Sequence, residues 1–310
     1  MSALICGSMA FDTVMVFHGR FRDHILPDRI HLLNVSFLVP SLRRNFGGCA
    51  GNIAYNLALL GGDGSPMATV GHDFAPYANW LKVRGVDLTH IRTVDDEYTA
   101  QAFITTDLDD NQITAFHPGA MSQSHLNRVP DGAGISIGVV APDGREGMVQ
   151  HAEQFAAAGI PLLFDPGQGL PMFDGPQLLA FVEKSTWIAV NDYEGQLLAE
   201  RTGLSLAEIA ARVRALIVTR GAEGSVILAD GCEFQIPAVR PEAVVDPTGC
   251  GDAYRAGLIY GLQNGLDWET TGRVASLLGS IKIAHAGTQH HRFTRDEFEE
   301  RFRTAFGRAL

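Results

Sequence analysis

Residues 187–219, WIAVNDYEGQLLAERTGLSLAEIAARVRALIVT, decide the fold. An apolar run over 187–191 ends at Asn191, helical patterns occupy 193–202 and 205–214, and a second apolar run over 215–219 ends at Thr219. Short apolar runs alternating with helical patterns build β-α-β units around a parallel sheet. The same alternation extends outward in both directions. Apolar runs at 3–6, 135–141, 161–165 and 225–229 predict further strands, and 51–60, 147–158, 251–264 and 268–286 predict further helices. The expected class is α/β with a mostly parallel central sheet. Residues 12–45 and 98–117 break the pattern, because β-prone residues alternate there without an intervening helix. They are expected to pair as a small β lid over one end of the main sheet, leaving 1–11, 46–97 and 118–310 as the core. No internal repeat, low-complexity tract or linker divides the chain further.

The chain has 310 residues, 46% of them hydrophobic, enough to bury one large core with a small appendage. A net charge of -11 without basic stretches argues against a broad nucleic-acid or acidic-membrane footprint. None of the lysines, Lys82, Lys184 and Lys282, stands between a glycine and a Ser or Thr, so a Walker-type P-loop is excluded. Cys6, Cys49, Cys232 and Cys250 form no C-x-x-C pair, which fits reduced thiols. With no leader and no membrane-spanning apolar run, a cytoplasmic location is expected.

The chemistry concentrates in residues 244–257, VVDPTGCGDAYRAG. Gly249, Cys250 and Gly251 let backbone N–H groups approach an anion, and the first turn of the following helix leaves further donors unpaired beside a partial positive charge. Asp252 stands at the edge of this cradle, where a carboxylate could take the proton of an attacking alcohol. As residues alone, the alternative is a turn followed by an acid that stabilises a helix start. Two glycines around a small residue exceed what capping requires. Residues 46–54, FGGCAGNIA, open another helix. Gly47 and Gly48 would let a sugar lie against backbone, and Asn52 can donate to and accept from a hydroxyl. A plain glycine turn with Asn52 as an ordinary helix residue is the alternative.

In this order, separated by most of the chain, the two segments resemble the signatures of the ribokinase, or phosphofructokinase-B, family of carbohydrate and nucleoside kinases. Pro247 at the second position of the C-terminal signature and Cys250 in place of the usual Ala are departures that still suit a tight turn. The resemblance implies a three-layer α/β/α sandwich with a mostly parallel central sheet and a small β lid. It implies that Gly249, Cys250 and Gly251 form an anion hole, that Asp252 is the catalytic base, and that Asp12, Gly48 and Asn52 hold the substrate. Asn191 and Glu194 resemble the family's Asn-x-x-Glu motif, which implies ATP and a Mg²⁺ held by Glu194 through water. Thr219, Gly221 and Gly224 resemble the nucleotide-contacting turn, and Ala284 and Gly287 would border the adenine. Asp246 and Thr248 resemble a K⁺ site beside the anion hole. As bare sequence these features also read as an acidic helix start, a hairpin and a helix stop.

Sugar kinases often carry Lys where Cys49 stands, which points away from ribose as acceptor. Phe17, Phe37, Leu38 and Phe116, with Met121 close by, could sandwich a purine. They would equally suit the inward face of a small sheet or a dimer contact. Residues 34–48 also resemble bacterial and archaeal adenosine or nucleoside kinases. The combined reading is an ATP- and Mg²⁺-dependent phosphotransferase acting on the 5′-hydroxyl of adenosine or a close purine nucleoside, with K⁺ as a further ion and a homodimer through the lid. A sugar kinase acting on ribose or a fructose derivative and a non-catalytic nucleoside-binding protein are the alternatives. Asp143, Arg145 and Asp165, in loops after predicted strands, receive no role.

Overall fold

The computed structural model describes residues 2–25, 34–109, 111–131 and 134–310. In chain order its strands are β1 (Ser2–Cys6), β2 (Ala10–Val16), β3 (Ser41–Gly47), β4 (Gly64–Gly71), β5 (Ile91–Val94), β6 (Ala100–Thr106), β7 (Gln112–His117), β8 (Ile135–Val140), β9 (Leu162–Phe164), β10 (Trp187–Asn191), β11 (Ala215–Thr219), β12 (Ser225–Ala229) and β13 (Cys232–Ile236). The α-helices are α1 (Cys49–Leu59), α2 (Ala75–Lys82), α3 (Arg145–Ala157), α4 (Gly175–Lys184), α5 (Asp192–Thr202), α6 (Leu206–Ala210), α7 (Cys250–Gln263), α8 (Trp268–Ile283) and α9 (Arg295–Phe306).

The central sheet runs β13-β12-β11-β10-β9-β8-β1-β4-β5. Pairing is parallel from β5 through β11, and only the β11–β12 and β12–β13 pairs are antiparallel. Because strand side chains alternate between faces, a sheet covered on both sides needs unbroken apolar runs. Thus Ala3 and Ile5 join the core formed with α1, α2, α7, α8 and α9, while Leu4 and Cys6 join the core formed with α3 to α6. In β10, Trp187 and Ala189 divide from Ile188 and Val190 in the same way. The result is an α/β/α sandwich.

A second sheet runs β3-β2-β6-β7, so residues after β1 pair with residues after β5. β2 is parallel to β6 and antiparallel to β3. The chain returns from β3 into α1 at Gly48, whose φ of +86° and lack of a side chain are both required: a Cβ there would lie 2.6 Å from Ser8 O. Ser8 fastens this crossing by accepting from Ala50 N–H at 3.0 Å and, through Oγ, from Cys49 N–H at 3.1 Å. α1 therefore starts at Cys49, two residues before the position that its own periodicity predicts, since its cap comes from the end of β1.

Candidate active site

The carboxyl ends of β1, β8, β9, β10 and β11 lie along one edge of the sheet, where open α/β sheets leave a crevice. There α1 packs against α7 and joins Asn52 to Asp252, 200 positions away in sequence, with Asn52 Nδ2 donating to Asp252 Oδ2 at 2.7 Å. Asn52 is 3% exposed and its amide is held at both ends, because Oδ1 accepts from Gln289 Nε2 at 2.9 Å. Gln289 also donates to the Tyr77 hydroxyl at 2.5 Å and accepts from Trp80 Nε1 at 3.1 Å, and the Tyr77 hydroxyl donates to Gly47 O at 2.9 Å. Residues from α1, α2 and the segment after α8 thus set the direction of one carboxylate. The sequence suggested that Asn52 would meet the substrate. Its amide is engaged by Asp252 and Gln289, each through one hydrogen bond. Burial pushes the Asp252 carboxyl up to about 6, with Asp165 adding to the rise and the Asn52 hydrogen bond and Arg255 opposing it.

Asp252 lies in the first turn of α7, directly after the glycine turn. Gly249 has a φ of +79°, and a Cβ there would approach Thr288 Cγ2 to 3.0 Å, so the turn leans on the segment that follows α8. Gly251 differs, since a Cβ there would find only Arg255 Nη1, at 3.8 Å, within contact range. The first amides of a helix have no acceptor within it and carry its positive end. Cys250 N–H turns back to Pro247 O at 3.2 Å, and the open volume at Gly251, beside a helix start and next to a carboxylate, suits a phosphoryl group. The start of α1 offers no equivalent, because Ser8 already takes its first amides. Burial pushes the Cys250 thiol up to about 11, which keeps it neutral and unsuited to nucleophilic work.

Asp12 sits on β2 in register with Asn45 of β3 and Ala102 of β6, and Ala102 pairs in turn with Phe116 of β7. Directly paired residues share a face, so Asp12 and Phe116 stand in one row of the small sheet, two strands apart. Phe116 is 53% exposed. Gly47 leaves room for the Asp12 carboxylate, which would collide with any Cβ at that position. Burial, then the charge of Asp246, pushes Asp12 up to about 6. Met121 lies half-buried in a short 3-10 helix, Gly119–Leu126, with its carbonyl against Gly144. Phe37, expected to stack on a ligand, is half-buried. Its ring centroid is 4.8 Å from Phe17 and 5.0 Å from Phe21, both buried, so it is part of an aromatic cluster in this part of the chain.

Asn191 and Glu194, expected at the nucleotide, form a reciprocal cap at the start of α5: Glu194 N–H donates to Asn191 Oδ1 at 2.7 Å, and Asn191 N–H donates to Glu194 Oε2 at 2.8 Å. The spacing of this motif therefore has a structural use. Thr219 Oγ1 donates to Val190 O at 3.4 Å. Gly221, at φ +55°, borders open space, whereas a Cβ on Gly224 would strike Ile236 O. Ala284 lines a groove of about 720 Å³ with Pro237, Val239 and Arg301. Gly287 N–H donates to Asp246 Oδ2 at 2.8 Å.

Asp165 is held by Arg255, which sequence reasoning did not single out. Arg255 Nη2 donates to Asp165 Oδ1 at 3.0 Å and to Ala189 O at 3.2 Å, and lies 3.9 Å from Glu194. Its spacing of three from Asp252 puts both on one helical face, a signal that could have exposed it. Asp143 is buried with Oδ1 on Gly144 N–H at 2.9 Å, and burial pushes it up to about 8. Arg145 reaches Met172 O at 3.2 Å and Gln177 Oε1 at 2.9 Å, away from Asp252.

The expected K⁺ site at Asp246 and Thr248 does not fit the groups present. The Asp246 carboxylate is engaged by Thr248 N–H at 2.9 Å and Gly287 N–H at 2.8 Å, and its main-chain oxygen accepts from Lys282 Nζ at 2.6 Å. An ammonium thus stands among the oxygens that the ion would require. Among the described residues no group of three His, Cys, Asp or Glu side chains is placed to hold a metal directly, and no helix is long and apolar enough to cross a membrane.

Residues 10–294 match the family model described as pfkB family carbohydrate kinase. The chain is 34% identical over 271 residues to a nucleoside kinase of Methanocaldococcus jannaschii, covering 86% of this chain and 89% of that one. Among solved structures it resembles a Burkholderia thailandensis nucleoside kinase in complex with inosine, at 56% identity and a TM-score of 0.90 with 99% of each chain covered. It also resembles the ADP-inosine complex of that kinase, at 57% identity and a TM-score of 0.88 over 99% of this chain and 97% of the other. Given the sheet order, the glycine turn before Asp252 and this agreement along nearly its whole length, the chain belongs to the pfkB family of carbohydrate kinases.

Proposed function

We propose that this protein transfers the γ-phosphoryl group of ATP to the 5′-hydroxyl of adenosine or a close purine nucleoside. The observation that carries the reading is a carboxylate locked by Asn52 at the mouth of a glycine turn whose outer side is open. The substrate oxygen attacks the γ-phosphorus, its proton passes to an Asp252 carboxyl oxygen, and the bond to the β-phosphate oxygen breaks to release ADP. Amides of the 249–251 turn hold the migrating group, Asp12 takes ribose hydroxyls, and Phe116 offers an apolar surface in the same row. Gly48 brings backbone close to the sugar. Asn191, Thr219 and Gly221 edge the nucleotide, with Ala284 and Gly287 toward the adenine. Mg²⁺ bound with ATP would neutralise phosphate charge, and Glu194, half-buried beside Asp165 and Arg255, fits a ligand acting through water. The small sheet acts as a lid that excludes water from the transfer. Its opposite face exposes Leu42, Phe103 and Ile113, the contact proposed for a homodimer.

The acceptor class draws support from the inosine complexes of the related Burkholderia kinase. Measuring ADP release with adenosine, inosine, guanosine, cytidine, ribose and fructose tests it. Purine nucleosides are expected to be turned over fastest, and a preference for ribose or fructose would move the reading to a sugar kinase.

Protonation offers a separate check. Asp252 must be ionised to accept a proton and Asp12 to hold hydroxyls, and both titrate near 6. kcat/KM is expected to fall as pH drops through about 6, with a limb approaching second order in proton concentration. A flat profile down to pH 4.5 removes both carboxylates from these roles.

A further inference from the structure

The Lys282 side chain is fully buried, at 0% exposure, near the end of α8. Its Nζ donates to Asp246 O at 2.6 Å and to His285 O at 3.4 Å, so one ammonium joins the segment before the glycine turn to the chain that follows α8. The same junction is closed by Val245 N–H and Asp246 N–H, which both donate to Ile283 O, at 2.9 and 3.1 Å. The Asp246 carboxylate completes it through Thr248 N–H and Gly287 N–H. Burial lowers the Lys282 ammonium from its ordinary value, and the negative charges of Asp246 and Asp252 oppose that fall. A buried lysine is retained only where carbonyl oxygens and an opposite charge replace its water. Here those groups lie immediately behind the anion cradle, three positions before Gly249.

Resting on the kinase reading above, we propose that Lys282 is a tethered cation: its ammonium occupies the carbonyl cluster behind the 249–251 turn, so that the turn is held in shape and phosphoryl transfer needs no monovalent metal ion. An alkylammonium and K⁺ are similar in size and both bind carbonyl oxygens, which is why one can stand where the other would. Lys282 touches neither substrate nor nucleotide and acts by positioning the turn. The sequence signal is slight, one lysine among apolar residues at a helix end.

The test compares wild type, Lys282→Ala and Lys282→Met in K⁺, Na⁺, ammonium and tetramethylammonium salts at constant ionic strength, reading turnover and Tm. Wild type should change less than twofold between K⁺ and tetramethylammonium, with a Tm that does not depend on which cation is present. Lys282→Ala should lose roughly 10–100-fold in turnover in tetramethylammonium, the kinetic equivalent of leaving buried carbonyls unsatisfied. K⁺, ammonium or methylamine should restore its turnover saturably and raise its Tm. Lys282→Met fills the space and should not be restored. Wild-type turnover or Tm that rises with K⁺ overturns the proposal, as does Lys282→Ala losing turnover with no cation able to recover it. The Tm readings decide the matter even if no acceptor is phosphorylated, a result that would fall on the kinase reading alone.

Discussion

Replacing Asp252 with Asn is expected to lower turnover by roughly 10²–10⁴ while leaving the fold and the affinities for nucleotide and nucleoside nearly unchanged. Asn has the same shape and can still accept from Asn52 Nδ2, so the geometry survives. What disappears is the proton acceptor. The same exchange should make the protein more stable, and the sign follows from the direction of the shift. The Asp252 carboxyl titrates near 6 in the folded chain against an ordinary value of 3.8, so its contribution to stability is fully present below 3.8 and is lost as pH rises through about 6. Asn remains neutral throughout. The stability advantage of Asp252→Asn should therefore be largest above pH 6 and vanish below about pH 4. ADP release together with melting curves at several pH values checks both halves. Near wild-type turnover would deny Asp252 the base role, and a variant less stable at alkaline pH would contradict a buried charge. Opposed changes in activity and stability are what a carboxylate kept ionised in a poorly solvated place produces.

Arg255→Met is expected to cost about 3–5 kcal/mol of stability, because it leaves buried carboxylates without their cation. Arg255 is 4% exposed and Asp165 is equally enclosed, with Glu194 at 3.9 Å. Two contributions can be separated. Lost packing of the long side chain is small, since Met fills most of the volume. The orphaned charge is large, and it should largely disappear in Arg255→Met combined with Asp165→Leu. Urea unfolding of the two single variants and the double variant supplies the coupling energy. A loss below about 1 kcal/mol for Arg255→Met, the range of exposed pairs, would show that water reaches these groups. Since Arg255 lies one helical turn beyond Asp252, its loss should also loosen the start of α7 and reduce turnover at temperatures well below melting.

Much of the fold was legible because double-sided burial leaves a plain mark. The runs that became β1, β8, β10, β11 and β12 are apolar on both faces, and polar or small residues end them where the chain leaves the sheet. β4 was missed although it is almost wholly buried, since Gly64, Pro66 and Gly71 mimic a loop. Its place comes from parallel pairing with β1, in which Ile5 stands opposite Pro66. α9 was missed because only Phe298 and Phe302 are buried in a strongly charged helix, although Thr294 and Glu297 form a readable cap. α4 is announced by an equivalent pair, Asp174 and Gln177.

The candidate site divides along the same line. The glycine turn and Asp252 were visible because tight backbone geometry demands particular residue types in consecutive positions. The pairing of Asp12 with Phe116 in one row follows from the register of a sheet assembled from two separated segments, which no window of sequence contains.

Sequence by itself determined the α/β class, the glycine turn and the acid that follows it, since each depends on short-range rules of backbone freedom and side-chain alternation. Tertiary structure alone decided that Asn52 and Gln289 hold that acid, that Arg255 balances Asp165, and that Lys282 reaches the main-chain oxygen of Asp246. Those pairings join residues up to 237 positions apart, and a buried charge reveals its partner only once folding has removed the water that would otherwise have served it.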